Sequence, residues 1–163
     1  MRRLTSMFLV LAMLLSLAPM NIFAAETNKT VFSDMKETDY YAQAATALEH
    51  LGIISGYPDG TYGAEKSVTR AEMAVVVCKM IDKTAEAEEA KGKTDFDDVA
   101  SDHWASGYIN IAAKEGIISG DGNGKFRPED EVKYEEALKM IVCALGYGDD
   151  VEFDETDWSK GYL

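Results

Sequence analysis

The sequence predicts an all-α fold built from two copies of a helix–turn–helix unit. The stretch GIISGYPDGTY at 52–62 returns as GIISGDGNGKF at 116–126, and this shift of 64 positions carries 32–82 (copy 1) onto 96–146 (copy 2) without a gap. In each copy, apolar residues at helical spacing lie on both sides of a glycine-rich turn. The apolar face of the second helix repeats most clearly: Met73, Val76, Val77, Met80 and Ile81 in copy 1, and Ala137, Met140, Ile141, Ala144 and Leu145 in copy 2.

The chain begins with a stretch typical of a secretory signal peptide. Arg2 and Arg3 precede an apolar run at 7–23, and two alanines follow it before Glu26, the first acidic residue. The run contains polar residues and a proline, whereas a membrane-spanning helix needs about 20 predominantly apolar residues. We therefore assign residues 1–25 to a signal peptide, and we expect an exported protein that no membrane holds after cleavage.

Each first helix has its own start and stop signals. Thr38 or Asp39 in copy 1 and Asp102 in copy 2 are candidate N-caps, because short polar side chains accept hydrogen bonds from the first free N–H groups of a helix. Gly52 and Gly116 follow the first helices, and glycine readily adopts the left-handed conformation that ends a helix. The second helices start near residues 69 and 133.

Two segments lie outside the copies. Residues 83–95, which include TAEAEEAKGKT, are small and charged, and they predict a linker or a helix extension. Residues 147–163 end in DWSKGYL, which is similar to HWASGYI at 103–109 and predicts the start of a truncated or degenerate third copy. Because one repeat unit does not bury its apolar face alone, three or more copies are usually needed for stability.

The net charge excludes several classes of partner. It is −13 at pH 7 for the whole chain. Residues 1–25 carry two arginines and no acid, so the mature chain has 14 basic and 29 acidic residues and a charge of −15. Such a chain repels nucleic acid and anionic lipid, and neither is an expected partner.

The sequence contains no pattern typical of an enzyme or a metal site. Cys78 and Cys143 are too few for a disulfide framework, and neither lies in a catalytic cysteine motif; whether they pair is open. His50 and His103 occupy different contexts in the two copies, so no metal triad is indicated. The many carboxylates do not by themselves make a paired acid and base. We therefore expect no catalysis, no cofactor and no metal.

The run from Asp121 to Lys125 has two interpretations, a calcium loop and a tight turn. An EF-hand loop needs oxygen ligands at positions 1, 3, 5 and 12, but counting from Asp121 places Lys125 at position 5 and Val132 at position 12. A lysine ammonium repels a cation and valine has no ligand atom. The Asp-Gly and Asn-Gly pairs ending at Gly60 and Gly124 suit turns with positive φ, so the turn interpretation is favoured.

The start of the second helix in copy 1 is a candidate anion-binding site. Residues 69–72, Thr-Arg-Ala-Glu, have the pattern of a capping box. A helix start offers N–H groups and positive potential to a carboxylate, and Arg70 would add a charge-assisted contact. The alternative for Arg70 is a surface ion pair with a nearby acid. Gly120, in the facing turn, would let a ligand approach the backbone closely.

Two equivalent pairs of residues complete the candidate site. Tyr40 and Trp104 would offer flat apolar faces to a ligand, or else close the first helices as core aromatics. Asp34 and Asp98 are candidates for ligand contact, with loop capping as the alternative.

An ordered series of motifs in both copies resembles the S-layer homology repeat. That family's pattern runs Phe-x-Asp-Val, Trp-Ala, Gly-Ile-Ile-x-Gly, a glycine turn, Phe-x-Pro and Thr-Arg-Ala-Glu; this chain has FDDV, WA, GIISG and FRP in copy 2 and VTRAE in copy 1. The resemblance covers 32–146. It implies three repeats in a pseudo-threefold spindle, of which this chain carries two complete copies and a truncated third. It also implies that grooves between repeats bind a secondary cell-wall polysaccharide, often one that carries pyruvate ketals.

The resemblance therefore implies non-covalent anchoring of an exported protein to the bacterial cell wall, with the chain at the cell surface. The alternatives are a structural surface-layer module that self-associates or docks another surface protein, and the anchor fragment of a larger wall hydrolase. Copy 2 departs from the family pattern, because KYEE at 133–136 replaces Thr-Arg-Ala-Glu. Lys125, Arg127 and Lys133 are the nearby cations that would have to compensate for the missing arginine.

Overall fold

The computed structural model of the protein describes residues 31–148. Within that range the regular structure is helical, as predicted, and the only β-like pairing is an isolated antiparallel bridge between Thr69 and Glu131. The helices are α1 (Ala42–His50), α2 (Arg70–Met80), α3 (Thr84–Glu89), α4 (Ser106–Lys114) and α5 (Tyr134–Ala144). The predicted signal peptide and residues 149–163 of the predicted third copy lie outside the described residues. Over 31–148, no helix has the length and apolar character needed to cross a membrane.

The described residues form two compact units, and the division does not follow the sequence repeat. The first unit contains residues 31–50 and Gly56–Tyr62, and the second contains Leu51–Ser55 and residues 63–148. The first helix of copy 1 thus belongs to the first unit, whereas its second helix, α2, belongs to the second unit together with copy 2. A copy in the sequence is therefore not a unit of packing.

Packed aromatic rings form the centre of the first unit. The ring centroids of Phe32 and Tyr41 lie 5.5 Å and 5.4 Å from that of Tyr62. Gly56, with a φ of +66°, lies directly against the Phe32 ring, and a β-carbon there would collide with the ring and with the Thr61 carbonyl oxygen. The last glycine of the first GIISG motif is therefore required for packing.

The second unit is organised around α2, which begins with the predicted capping box. The Thr69 hydroxyl accepts a hydrogen bond from the Glu72 N–H at 3.1 Å, and the Glu72 carboxylate accepts one from the Thr69 N–H at 2.8 Å. α2 then packs against α4 and α5. The predicted face is confirmed at Met73 and Val77, but the buried face is shifted toward Ala71, Ala74 and Cys78. The two alanines let the neighbouring helices approach closely. The most buried residues of α2 are Ala71, Ala74, Val77 and Cys78.

The segment between the copies contains a helix that packs against copy 2. α3 lies along α4, with Ala87 and Ala90 buried at the contact. A β-carbon on Gly107 of α4 would collide with the Ala87 carbonyl oxygen, and the Gly92 N–H donates to the buried Ser106 hydroxyl at 2.9 Å. The small residues that made 83–95 resemble a linker are the ones that allow this close helix contact.

The predicted N-caps of the first helices are wrong. Ala105 occupies the N-cap of α4 and makes no side-chain cap, so Asp102 has no capping role there. In copy 1 the Asp39 carboxylate accepts hydrogen bonds from the Lys36 N–H at 2.8 Å and from the Tyr41 hydroxyl at 3.3 Å. The carboxylate therefore stabilises the turn before α1, which is the other local structure that Asp favours.

The predicted glycine stop is confirmed in both copies, where Gly52 and Gly116 have φ of +71° and +72°. After α4, the N–H of Gly116 donates to the Ala113 carbonyl at 3.0 Å and the N–H of Ile117 to the Ala112 carbonyl at 2.9 Å. This pair of bonds is a Schellman end, which satisfies carbonyls that the helix leaves without partners.

No disulfide joins the two cysteines. Cys78 is fully buried in α2, and its sulfur lies 3.3 Å from the Tyr108 carbonyl oxygen. Burial raises the pKa of the Cys78 thiol to about 12. Cys143, in α5, is partly exposed. The pairing left open by the sequence is therefore not formed.

Candidate binding groove

A groove with a volume of about 300 Å³ opens beside the start of α2 in the second unit. The start of α2, the glycine turn of copy 2 and α5 form its walls. It therefore lies where the second helix of copy 1 meets copy 2. The residues that line it are Arg70, residues 117–121, Arg127, Glu136, Lys139 and Met140.

Arg70 lines this groove, but its side chain is only 8% exposed and is extensively bonded. Its Nε donates to the Phe126 carbonyl at 2.8 Å and its Nη2 to the Ser119 carbonyl at 3.4 Å, and its Nη1 lies 3.2 Å from the Glu136 carboxylate. The guanidinium carbon also lies 4.7 Å from the centroid of the Phe126 ring. All these partners belong to copy 2. The alternative interpretation of Arg70, an ion pair with a nearby acid, is thus correct. The pair is not at the surface as expected but largely buried, and it joins α2 to copy 2.

The backbone at the same helix start is also engaged. The Arg70 N–H donates to the Asp130 carbonyl and the Ala71 N–H to the Pro128 carbonyl, both at 2.9 Å, while the capping box satisfies the Glu72 N–H. The prediction that these N–H groups are free to hold a carboxylate is therefore wrong. Their acceptors lie in copy 2, so the local sequence of copy 1 contains no sign of them.

Gly120 lines the groove, and packing accounts for its missing side chain. A β-carbon at this position would lie 2.7 Å from the Lys125 carbonyl oxygen and 2.8 Å from the Phe96 ring. In the first unit, Gly56 packs against Phe32 in the equivalent way. Close contact with an aromatic ring is thus the reason for glycine in both copies, and a sugar contact at Gly120 stays a prediction.

Asp34 and Asp98 brace the glycine turns, so the loop-capping alternative is confirmed for both. The Asp98 carboxylate accepts hydrogen bonds from the N–H groups of Phe126 at 2.8 Å and Arg127 at 2.7 Å. In the first unit, the Asp34 carboxylate accepts one from the Tyr62 N–H at 2.7 Å. Asp98 is not among the residues that line the groove.

The turn interpretation of residues 121–125 is confirmed. The Asp121 carboxylate accepts hydrogen bonds from the Asn123 N–H at 2.8 Å and the Lys125 N–H at 3.3 Å, and these bonds hold the pKa of Asp121 below its usual range. Gly122 and Gly124 have φ of +81° and +79°. Among residues 31–148, no three His, Cys, Asp or Glu side chains are grouped so as to hold a metal ion.

Tyr40 and Trp104 are exposed, so the alternative of a core role is wrong for both. Tyr40 is 98% exposed and makes an edge contact with Tyr41, and Trp104 is 54% exposed and stacks on His103. Both rings keep surface accessible, as stacking on a sugar requires. Trp104 is not among the residues that line the groove.

Arg127 lines the groove from a backbone conformation that usually requires glycine. Its φ is +59°, and the equivalent residue of copy 1 is Gly63, with a φ of +72°. The left-handed conformation costs a non-glycine residue on the order of 1 kcal/mol. The bond from the Arg127 N–H to Asp98 helps to hold this conformation, and Arg127 Nη1 lies 3.5 Å from the Asp130 carboxylate. The sequence marks Arg127 only as a nearby cation, although the glycine-to-arginine change between the copies is a usable signal.

Lys139 and Glu136 also line the groove, and neither is a candidate binding residue from the sequence. Lys139 interrupts the apolar pattern of α5, at the position where copy 1 has Val75. Glu136 is equivalent to Glu72 and accepts a hydrogen bond from the Lys133 N–H at 3.1 Å, which is the carboxylate half of a capping box. The return bond is missing, because a lysine ammonium has no acceptor. Glu136 therefore serves both the start of α5 and the Arg70 ion pair.

Comparison with known proteins places both copies in one family. The profile of the S-layer homology domain matches residues 31–74 and 95–138, more than half of the chain. The chain belongs to the S-layer homology family. The matched segments include the aromatic residues, the glycine turns and the starts of α2 and α5.

Several surface proteins are similar to this S-layer homology chain. The cell surface protein of Thermoanaerobacter kivui is 42% identical over 135 residues, which cover 82% of this chain and 17% of that protein. The middle cell wall protein of Brevibacillus brevis is 37% identical over 147 residues, with 90% and 14% covered. The cellulosome-anchoring protein of Acetivibrio thermocellus is 33% identical over 126 residues, with 77% and 28% covered. The chain thus spans less than a third of the length of these relatives.

Proposed function

We propose that this chain holds an exported protein on the bacterial cell wall by binding an anionic secondary cell-wall polysaccharide. The composition of the groove carries the proposal. Arg70, Arg127 and Lys139 line one cavity in a chain whose net charge is −13. The family and the names of the relatives, which are cell-surface, cell-wall and cellulosome-anchoring proteins, support a place at the cell surface.

The size and lining of the groove suit a sugar that bears a carboxylate. A volume of about 300 Å³ is at the lower end for small-molecule sites, so the groove fits a terminal or side-group sugar better than a long stretch of polymer. Ile117, Ile118 and Met140 contribute apolar surface to the lining, and Arg127 and Lys139 contribute charge-assisted donors. A pyruvate ketal, which combines a methyl group and a carboxylate on a sugar, matches both features.

Local charges in the groove matter more for such binding than the net charge of the chain. Charges separated by more than about 10 Å are largely screened at physiological salt, so the distant acids repel an anionic polymer only weakly. Within the groove, the Glu136 carboxylate is paired with Arg70 and the Asp121 carboxylate accepts two backbone N–H groups. The Arg70 ion pair balances the Glu136 charge, and the two N–H groups partly screen the Asp121 charge, so Arg127 and Lys139 supply the positive charge that a ligand would meet.

Further residues of each unit are given roles within their own unit. Tyr40 and Trp104 are proposed as stacking surfaces for further sugar rings, because both are exposed. Gly120 is proposed to allow close approach to the groove wall, and Asp34 and Asp98 to contribute by holding the turns in shape. The role is binding, and it requires no chemical step.

Co-sedimentation with purified wall polysaccharide tests the proposed function. We expect the secreted chain to be retained by native polymer, and to lose most of that retention after mild acid has removed the pyruvate ketals. A neutral polysaccharide serves as the control and should retain nothing. Equal retention by native and acid-treated polymer would rule out carboxylate recognition. Sedimentation without any polymer would instead favour the self-associating surface-layer module.

A further inference from the structure

We infer that Arg127 is the cation that contacts the ligand carboxylate, and that Arg70 is a positioning residue that joins the two copies. This inference rests on the proposed function, since it assigns roles within the same groove. The two arginines differ in three observable respects: exposure, bonding and backbone conformation.

Arg70 has little capacity left for a ligand. Its guanidinium is buried, and its three nitrogens are engaged by Phe126, Ser119 and Glu136. The Glu136 carboxylate also neutralises its charge at 3.2 Å. A ligand carboxylate at Arg70 would have to compete with that acid inside a contact that holds α2 against copy 2. Arg70 therefore shapes the groove wall and contributes little net attraction for an anion.

Arg127 has the exposure that a ligand contact requires. Its side chain is 47% exposed, and a guanidinium has five N–H donors, of which the Asp130 carboxylate meets those on Nη1 at 3.5 Å. An ion pair between two such exposed side chains is weak and exchanges readily with solvent or ligand. A carboxylate in the groove is thus able to replace Asp130 and form the two parallel hydrogen bonds that guanidinium favours.

The backbone of Arg127 supports a role for its side chain beyond the fold. The equivalent position in copy 1 is Gly63, which takes the same left-handed conformation without a side chain. Arginine is therefore not needed to make this turn, and it is less suited to the conformation than glycine. The weak exposed pair with Asp130 does not compensate for this disadvantage. Contact with a ligand in the groove gives the arginine a reason to be there.

Three variants of the secreted chain separate a groove contact from general charge. Arg127→Gly restores the residue of copy 1, and Arg127→Gln removes the charge but keeps a long polar side chain. Lys125→Gln removes one positive charge from the same turn, outside the groove lining. With purified polysaccharide as the probe, we expect both Arg127 variants to bind roughly tenfold more weakly or worse, and Lys125→Gln to stay within about twofold of the parent. The melting temperature of Arg127→Gly should be unchanged or a few degrees higher.

A variant at Asp130 tests the inference in the opposite direction. Asp130→Asn removes the competing carboxylate, so binding should tighten by roughly twofold to fivefold, and this gain should vanish in an Arg127→Gln background. Parental binding by both Arg127 variants, or a loss in Arg127→Gly explained by a lower melting temperature, would overturn the inference. If both Arg127 variants bind like the parent, the parent still binds the polymer, so the proposed function stands. Failure of the parent itself to bind would be failure of that function.

Discussion

α2 and α5 occupy the same place in the two copies, yet α2 is largely buried and α5 only partly. Both have a regular apolar face in the sequence. In α2 the small and apolar residues from Ala71 to Cys78 are covered by α4 and α5, whereas in α5 the only buried residue is Met140. At the first helical position, Arg70 is 8% exposed and Tyr134 is 73% exposed.

This difference shows that periodicity predicts a helix but does not determine what covers it. An apolar stripe stabilises a fold only to the extent that another element removes it from water. For α2 that element is copy 2, and Arg70 and the N–H groups beside it find their partners there. The same local pattern therefore has different energetic consequences in the two copies, and measurements on matched residues can test this.

The largest expected contrast is in the reactivity of the two cysteines. Cys78 in α2 is fully buried, and burial raises its pKa to about 12, so at pH 8 only on the order of 10⁻⁴ of the thiol is ionised. Cys143 in α5 is partly exposed. A short pulse of iodoacetamide, followed by peptide mass spectrometry, should label Cys143 at least about a hundredfold faster. In urea the two rates should become equal. Similar rates in the native protein would mean that α2 is not covered as described.

Replacing the first residue of the helix by alanine should lower stability in α2 and hardly change it in α5. Arg70→Ala leaves the Glu136 carboxylate without its cation and the carbonyls of Phe126 and Ser119 without a donor. Because Glu136 is partly exposed, we expect the free energy of unfolding to fall by about 2–4 kcal/mol, somewhat less than for a fully buried pair. Tyr134→Ala should change it by no more than about 0.5 kcal/mol. Urea denaturation followed by circular dichroism measures both. Equal losses would show that Arg70 does not join the copies.

Local features of this chain were predictable, whereas contacts between the copies were not. The glycine turns, the capping box and the Gly116 stop depend on residues within a few positions of one another. The engagement of the α2 start by Pro128 and Asp130 depends on residues in the other copy, so the site was predicted to be more open than it is. The first-helix caps failed for a different reason, since Asp and Thr favour turns as much as helix starts.

The sequence predicts only part of the candidate site, because the rest becomes visible only when the two copies are compared. Arg70 and Gly120 were selected and do line one groove. Arg127 and Lys139 stand out only when equivalent positions of the two copies are compared. Copy 1 has Gly63 and Val75 at these positions. A search for conserved motif residues favours the positions that are alike in both copies. The positions of Arg127 and Lys139 both differ between the copies, and Arg127 is the more exposed of the two cations.

A smaller effect is expected from the hydroxyl that caps α2. Thr69→Ala removes the acceptor for the Glu72 N–H, and loss of such a cap typically costs about 1 kcal/mol. Thr69→Ser keeps the hydroxyl and is the matched control, with most of the stability retained. Both are measured by urea denaturation. A loss equal to that of Arg70→Ala would mean that the cap, and not the contact between copies, dominates the start of α2.

The smallest effect should come from giving α5 the cap that it lacks. Glu136 already accepts a hydrogen bond from the Lys133 N–H, so Lys133→Thr supplies only the missing acceptor for the Glu136 N–H. We expect a gain of about 0.5 kcal/mol, less than the loss in Thr69→Ala, because the start of α5 is exposed and frays more easily. Lys133→Val has a similar shape without the hydroxyl and should give no gain. If Lys133→Thr instead stabilised the protein by as much as Thr69→Ala destabilises it, capping would be independent of burial. The contrast between α2 and α5 would then lie in their apolar faces and in Arg70 alone.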